Sequence, residues 1–115
     1  MDYGQSTRIS QEDYRQPLWK QQRESRGFDD TELWDLDSTI AKFILPRLVA
    51  FRDIAANQGY SVARQQEWAG KLDKMIESFT FLASEEKYIT PVRQRSWISA
   101  KGLRLFAEHF TELWN

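Results

Sequence analysis

The chain has 115 residues, 41% hydrophobic and 29% charged, and such a length holds one domain with one core, which its 5 Trp, 7 Phe and 4 Tyr are large enough to fill. Sixteen Lys and Arg against 17 Asp and Glu leave a formal charge of -1, which excludes a general attraction to DNA or an anionic membrane. The absence of Cys excludes disulfides, thiolate metal sites and cysteine nucleophiles.

Residues 1–27 are rich in Gln, Ser, Arg and acids, with sparse apolar anchors at Tyr3, Ile9, Tyr14, Leu18 and Trp19. They read as a polar, partly flexible arm preceding a single helical domain over 28–115. Within the arm, Pro17 in a first turn and Gly27 as a stop frame a short helix. The main helix is announced by Asp29 and Glu32, an acidic analogue of a capping box, and by Phe28, placed to staple onto Leu33. Leu33, Leu36, Ile40, Ile44 (with Phe43), Leu48, Phe51 and Ala55 then recur every three or four residues, predicting one helix over about 30–57 that Asn57-Gln58-Gly59 ends. Pro46 lies inside it and cannot donate to the Lys42 carbonyl, so a kink is expected between Lys42 and Pro46. Phe43, Ile44, Leu45, Leu48 and Val49 wrap most of the circumference, so this stretch needs covering on more than one side.

A second helix is predicted over 62–83, with Ser61 as N-cap and Trp68, Leu72, Met75, Ile76, Phe79 and Leu82 on one stripe. Gly70 within it marks a close helix crossing. Ser84-Glu85-Glu86-Lys87 reads as a solvated connection, after which Thr90 supplies a capping hydroxyl and Pro91 opens a third helix over 91–114. Its apolar residues are Ile98, Leu103, Phe106, Phe110 and Leu113, flanked by Trp97 and Trp114. Gly102 costs this helix about 1 kcal/mol against Ala unless it allows close packing. No strand-like alternation competes. The expected fold is all-α: a compact bundle of three main helices (about 30–57 with a Pro46 kink, 62–83 and 91–114) plus a short N-terminal helix or arm.

Three blocks carry a resemblance. The first runs from Arg26-Gly27-Phe28-Asp29-Asp30 into Leu33-Trp34-Asp35-Leu36-Asp37-Ser38-Thr39-Ile40-Ala41-Lys42-Phe43-Ile44-Leu45-Pro46-Arg47-Leu48. The second joins Glu67-Trp68 to Leu72-Asp73-Lys74-Met75-Ile76. The third is Lys101-Gly102-Leu103-Arg104-Leu105-Phe106-Ala107 with the closing Leu113-Trp114. Together they resemble a family of small bacteriophage-encoded all-α proteins of unknown function. The resemblance implies a viral origin, supplies no activity and leaves the polar arm outside it.

His109 is the one histidine, and without Cys a zinc site around it would need mostly carboxylates, so Glu108 and Glu112 read more simply as a solvated face. Glu32 with Asp35 and Asp73 with Glu77 stand three and four apart, a geometry that lets facing helices hold magnesium in all-α nucleotide hydrolases. Acids are equally favoured near a helix N-terminus, and Lys71 and Lys74 make the second pair an ordinary charged surface. Trp34, Lys42, Arg47, Lys74 and Lys101 form the candidate ligand-binding set, cations on phosphate oxygens with a tryptophan stacking a base. The plainer alternative is that Asp35, Asp37, Asp73 and Glu77 neutralise those cations within a structural network. Exposed Trp residues suit a partner surface, and a symmetric homo-oligomer would cover the apolar girth of residues 40–51. The expectation is a non-enzymatic phage accessory protein, acting in counter-defence by sequestering a phosphorylated ligand or inhibiting a host protein. The alternatives are a magnesium-dependent hydrolase and a virion or assembly component. No cofactor, catalytic residue, metal site or extended nucleic-acid surface is expected. With no basic-then-apolar leader at Met1-Asp2-Tyr3-Gly4 and no long apolar run, the cytoplasm is the expected location.

Overall fold

In the computed structural model, which describes residues 9–55 and 61–114, Pro17 and Gly27 bracket the first helix, α1 (Gln16–Arg26). Gly27 takes a left-handed φ of 86° and its N–H donates to the Arg23 carbonyl at 3.0 Å, the stop expected of a C-terminal glycine. α1 is docked rather than loose: Trp19 is only 3% exposed, and Trp34 meets it edge to face at 5.8 Å. Arg23 holds Asp29, and Gln22 holds Asp30 through both its donor and its acceptor.

The long helix expected over about 30–57 is divided. α2 (Thr31–Trp34) is a single turn, and α3 (Leu36–Ala55) follows after Asp35, whose φ of -142° and ψ of 67° leave the helical region. The capping logic holds at the start of α2: the Glu32 carboxylate accepts from Asp29 N–H at 2.9 Å, and the Asp29 carboxylate accepts from Thr31 N–H and from its hydroxyl. The break at Asp35 follows from a charge that sits far away in the chain. Lys87, 1% exposed, donates to Asp37 at 2.9 Å, to Asp35 at 3.3 Å and to Ser38 Oγ at 3.2 Å. An uninterrupted helix would turn Asp35 and Asp37 about 200° apart, so they can share one ammonium only if the backbone opens between them. Pro46 stays inside α3, which continues through it as one helix. The stop read at Asn57-Gln58-Gly59 lies outside the described residues.

α4 (Val62–Ala83) has the predicted bounds, and Ser61 Oγ accepts from Arg64 N–H as its cap. The stretch read as a solvated connection instead contains a turn of helix, α5 (Glu86–Ile89), whose Lys87 is the buried cation just described. α6 (Val92–Glu108) begins one residue later than predicted and ends six residues earlier, and a 3-10 turn (Phe110–Glu112) follows it. Thr90 does not cap α6; its hydroxyl turns back to the Glu86 carbonyl at 2.8 Å, and Pro91 occupies the capping position itself. No helix among the described residues is long and apolar enough to cross a membrane.

α4 is the central element, with α3 along one side and α6 along the other. The core is drawn from Ala41, Leu48 and Ala55 of α3 and Leu72, Met75 and Phe79 of α4, with Phe106 of α6 edge to face on Phe79 at 5.0 Å. At the α4–α6 crossing, Gly102 lets the helices meet backbone to side chain. Its N–H donates to Ser78 Oγ at 3.0 Å, and a Cβ there would overlap that oxygen and the Lys74 carbonyl. Gly70, expected at a crossing, has nothing within 4 Å of where its Cβ would be. The packing of α3 and α6 on opposite sides of α4 is open, so the expected compact bundle is replaced by a slab of 56 × 34 × 20 Å. Its radius of gyration is 17.1 Å, against about 13 Å for a compact domain of this length.

Candidate functional site

The open packing leaves α3 with two apolar stripes rather than one. Ala41, Ile44, Leu48, Phe51 and Ala55 face α4 and belong to or pack against the core. Leu36, Ile40, Phe43, Arg47, Ala50 and Ile54 form a second line, roughly 100° round the helix, and all six are exposed. This second line advances four and then three residues in alternation, the spacing of a helix seam that packs against another helix. Ile40 is 46% exposed and Phe43 59%. The apolar girth of residues 40–51 is therefore covered on the α4 side and exposed along this second line.

Arg47 interrupts the seam at its centre. Its guanidinium lies 3.7 Å from the centroid of the Phe43 ring and donates to the Phe43 carbonyl at 2.7 Å. That contact lies in the turn where Pro46 withholds a backbone donor, so Arg47 adds a hydrogen bond where the helix is weakest.

Phe43 also walls a cleft of about 470 Å³ between α1, α2 and α3, floored by Trp19 and edged by Arg23, Glu32, Thr39 and Lys42. Burial, with the nearby charge of Lys87, holds the Lys42 ammonium below its ordinary value. The cleft thus mixes two aromatic faces with cations and acids, a composition able to hold a small polar ligand.

The five residues of the predicted ligand site fall into two groups. Only Lys42 lines the cleft itself; Arg47 stacks on Phe43 and Trp34 meets Trp19, two residues that do line it, with Arg15 over both indoles. Lys74 lies on α4, where its backbone carbonyl meets Gly102 and its ammonium is engaged by Glu77 at 3.8 Å, and Lys101 is exposed on α6 next to Gly102. The carboxylate pairs are likewise separated. Glu32 caps Asp29, Asp35 faces Lys87, and the Asp73 carboxylate accepts from Arg52 Nε and Nη2 at 2.5 and 3.1 Å. Among the described residues no group of three or more His, Asp or Glu is arranged to hold a metal ion. His109 is half-buried, against Trp68 at 5.5 Å and Glu112 at 2.6 Å.

Sequence reasoning missed the cluster around Lys87. Asp37, Asp35 and Ser38 surround its ammonium, and the Tyr88 hydroxyl lies 3.2 Å from Ser38 Oγ. Burial pushes the Asp35 carboxyl up and the adjacent Asp37 adds to the shift; Asp35 Oδ2 is buried without a hydrogen-bond partner. The only local signal was the Asp35-Leu36-Asp37 spacing, two acids that a single helix would point apart. Comparisons of the chain with protein-family models, curated proteins and solved structures give no match.

Proposed function

We propose that this chain is a phage-encoded accessory protein that acts by binding another protein, with the outer stripe of α3 as its contact surface. The observation carrying this reading is the exposed line from Leu36 to Ile54, an apolar ridge the length of a 20-residue helix. Contiguous apolar surface of this kind is expensive to leave in water and marks an interaction site in soluble proteins. Helix-in-groove and helix-on-helix recognition both read anchors at this spacing. The viral origin rests on the resemblance of the three sequence blocks alone.

The test is association with and without the ridge. Ile40→Glu places a charge at an exposed position, so circular dichroism should keep its helical signal while complexes formed by the wild-type chain are lost. Equal association of both proteins would remove the reading.

A second form of binding, sequestration of a small phosphorylated ligand, is supported by the cleft, where Lys42 and Arg23 stand beside Trp19 and Phe43. Calorimetry with a panel of linear and cyclic nucleotides, repeated on Lys42→Ala, addresses it. Absence of heat across the panel would exclude it.

A further inference from the structure

We infer that the partner of the α3 ridge is a second copy of the same chain, packed antiparallel about a two-fold axis level with residue 45. This rests on the reading of α3 as a binding surface and names what it binds.

The first argument is spacing. The ridge positions 36, 40, 43, 47, 50 and 54 advance by 4, 3, 4, 3 and 4, a series that reads the same in either direction. A two-fold axis through its middle therefore superposes the ridge on itself, the condition an isologous interface must meet. Leu36 then meets the partner's Ile54, and Ile40 meets the partner's Ala50.

The second argument is size and charge. Ile40 opposite Ala50 pairs a large residue with a small one, so the helices can approach to the usual 8–10 Å without a void or a clash. A parallel pairing would set Ala50 against Ala50 and leave a gap. It would also set Arg47 against Arg47 in a water-poor seam, whereas the antiparallel pairing brings each Arg47 onto the partner's Phe43. The same residues already stack within one chain at 3.7 Å, so the contact is one their side chains readily make. Antiparallel helices also oppose their dipoles.

The native chain has no Cys, so introduced thiols report geometry cleanly. Ile40→Cys and Ala50→Cys are made as separate proteins, both at exposed positions, and treated with a short bismaleimide. The antiparallel dimer predicts that neither cross-links with itself, because like positions lie about 15 Å apart along the axis, and that the mixture cross-links efficiently. Sedimentation should give twice the chain mass for wild type, with a dissociation constant raised at least about tenfold by Ile40→Glu. A monomer at all concentrations, self-cross-linking of either single variant, or a mixture that fails to cross-link would each overturn the proposal. A monomer whose ridge still captures another protein would overturn this inference while sparing the broader reading of the surface.

Discussion

The Lys87 ammonium lies 2.9 Å from a carboxylate oxygen of Asp37, fifty residues earlier in the chain, and is almost completely withdrawn from water. This one contact, with its companion to Asp35, ties the start of α3 to the corner between α4 and α6. Burying an ammonium costs several kcal/mol unless its charge and its donors are all engaged, and here two carboxylates and the Ser38 hydroxyl engage them.

Replacing Lys87 by Met keeps the length and apolar stem while removing the charge. Asp35 and Asp37 are then left facing each other without a cation. The expected loss is about 3 kcal/mol, at the lower end for a broken buried pair because Asp37 remains partly solvated. Urea denaturation of Lys87→Met against wild type measures it. A loss below 1 kcal/mol would mean that the pair is not what holds this corner.

The same cluster sets a pH signature. Burial raises the Asp35 carboxyl above its ordinary 3.8, with Asp37 acting in the same direction against the pull of Lys87. For Asp37, burial is outweighed by hydrogen bonding to Asp35 and Lys87, and its carboxyl falls below 3.8. Asp29 is also lowered, burial being outweighed by its hydrogen bonds from Thr31 and Arg23. A lowered acid stabilises the fold above 3.8 and loses that contribution as pH falls through its folded value. A raised acid has the opposite sign: the fold gains stability as pH descends from the Asp35 folded value toward 3.8. The melting temperature should therefore rise slightly on mild acidification and then fall. In Asp35→Asn the rise should disappear and the fall remain. A persistent rise in that variant would assign it to another group.

Two glycines separate packing from propensity. Gly102→Ala forces a Cβ into Ser78 and the Lys74 carbonyl, so the helices must part, at a cost of 1–3 kcal/mol or more (roughly the overpacking range). Gly70→Ala meets open space and should stabilise α4 by about 1 kcal/mol through helix propensity alone. Thermal unfolding of the two variants should shift in opposite directions.

The contrast between these glycines shows what the sequence could carry. Where the determinants are local, the reading held: Ser61 caps α4, Gly27 ends α1, and Glu32 closes the box on Asp29. The helical period also showed that α3 is apolar on more than one side, which is the physical origin of the exposed ridge. It could not show which side is left open, because that depends on α6 lying beyond α4 rather than against α3. Asp35 gives no local breaker signal, having neither Gly nor Pro beside it, and its backbone departs from the helix for a lysine 52 residues away. Gly70 and Gly102 look alike in sequence, and only the neighbour each one meets tells them apart. The predicted cations divided for the same reason: lying near apolar stripes in sequence does not put residues on one face.

Arg47 offers the sharpest test of how the ridge works. As the one charge on an otherwise apolar line, it weakens burial of the seam but penalises pairings that bring two guanidinium groups together, the way a single polar residue fixes register in a coiled coil at some expense of stability. Arg47→Leu makes the line continuous. Self-association should tighten about tenfold or more, as a charge no longer has to be desolvated, and its specificity should fall. Ile40→Cys in the Arg47→Leu background should then cross-link with itself, which the Ile40→Cys protein alone should not. Tighter association with unchanged cross-linking would assign the orientation to the pairing of Ile40 with Ala50 instead, and weaker association would mean that the Arg47 contact with Phe43 contributes more than its charge costs.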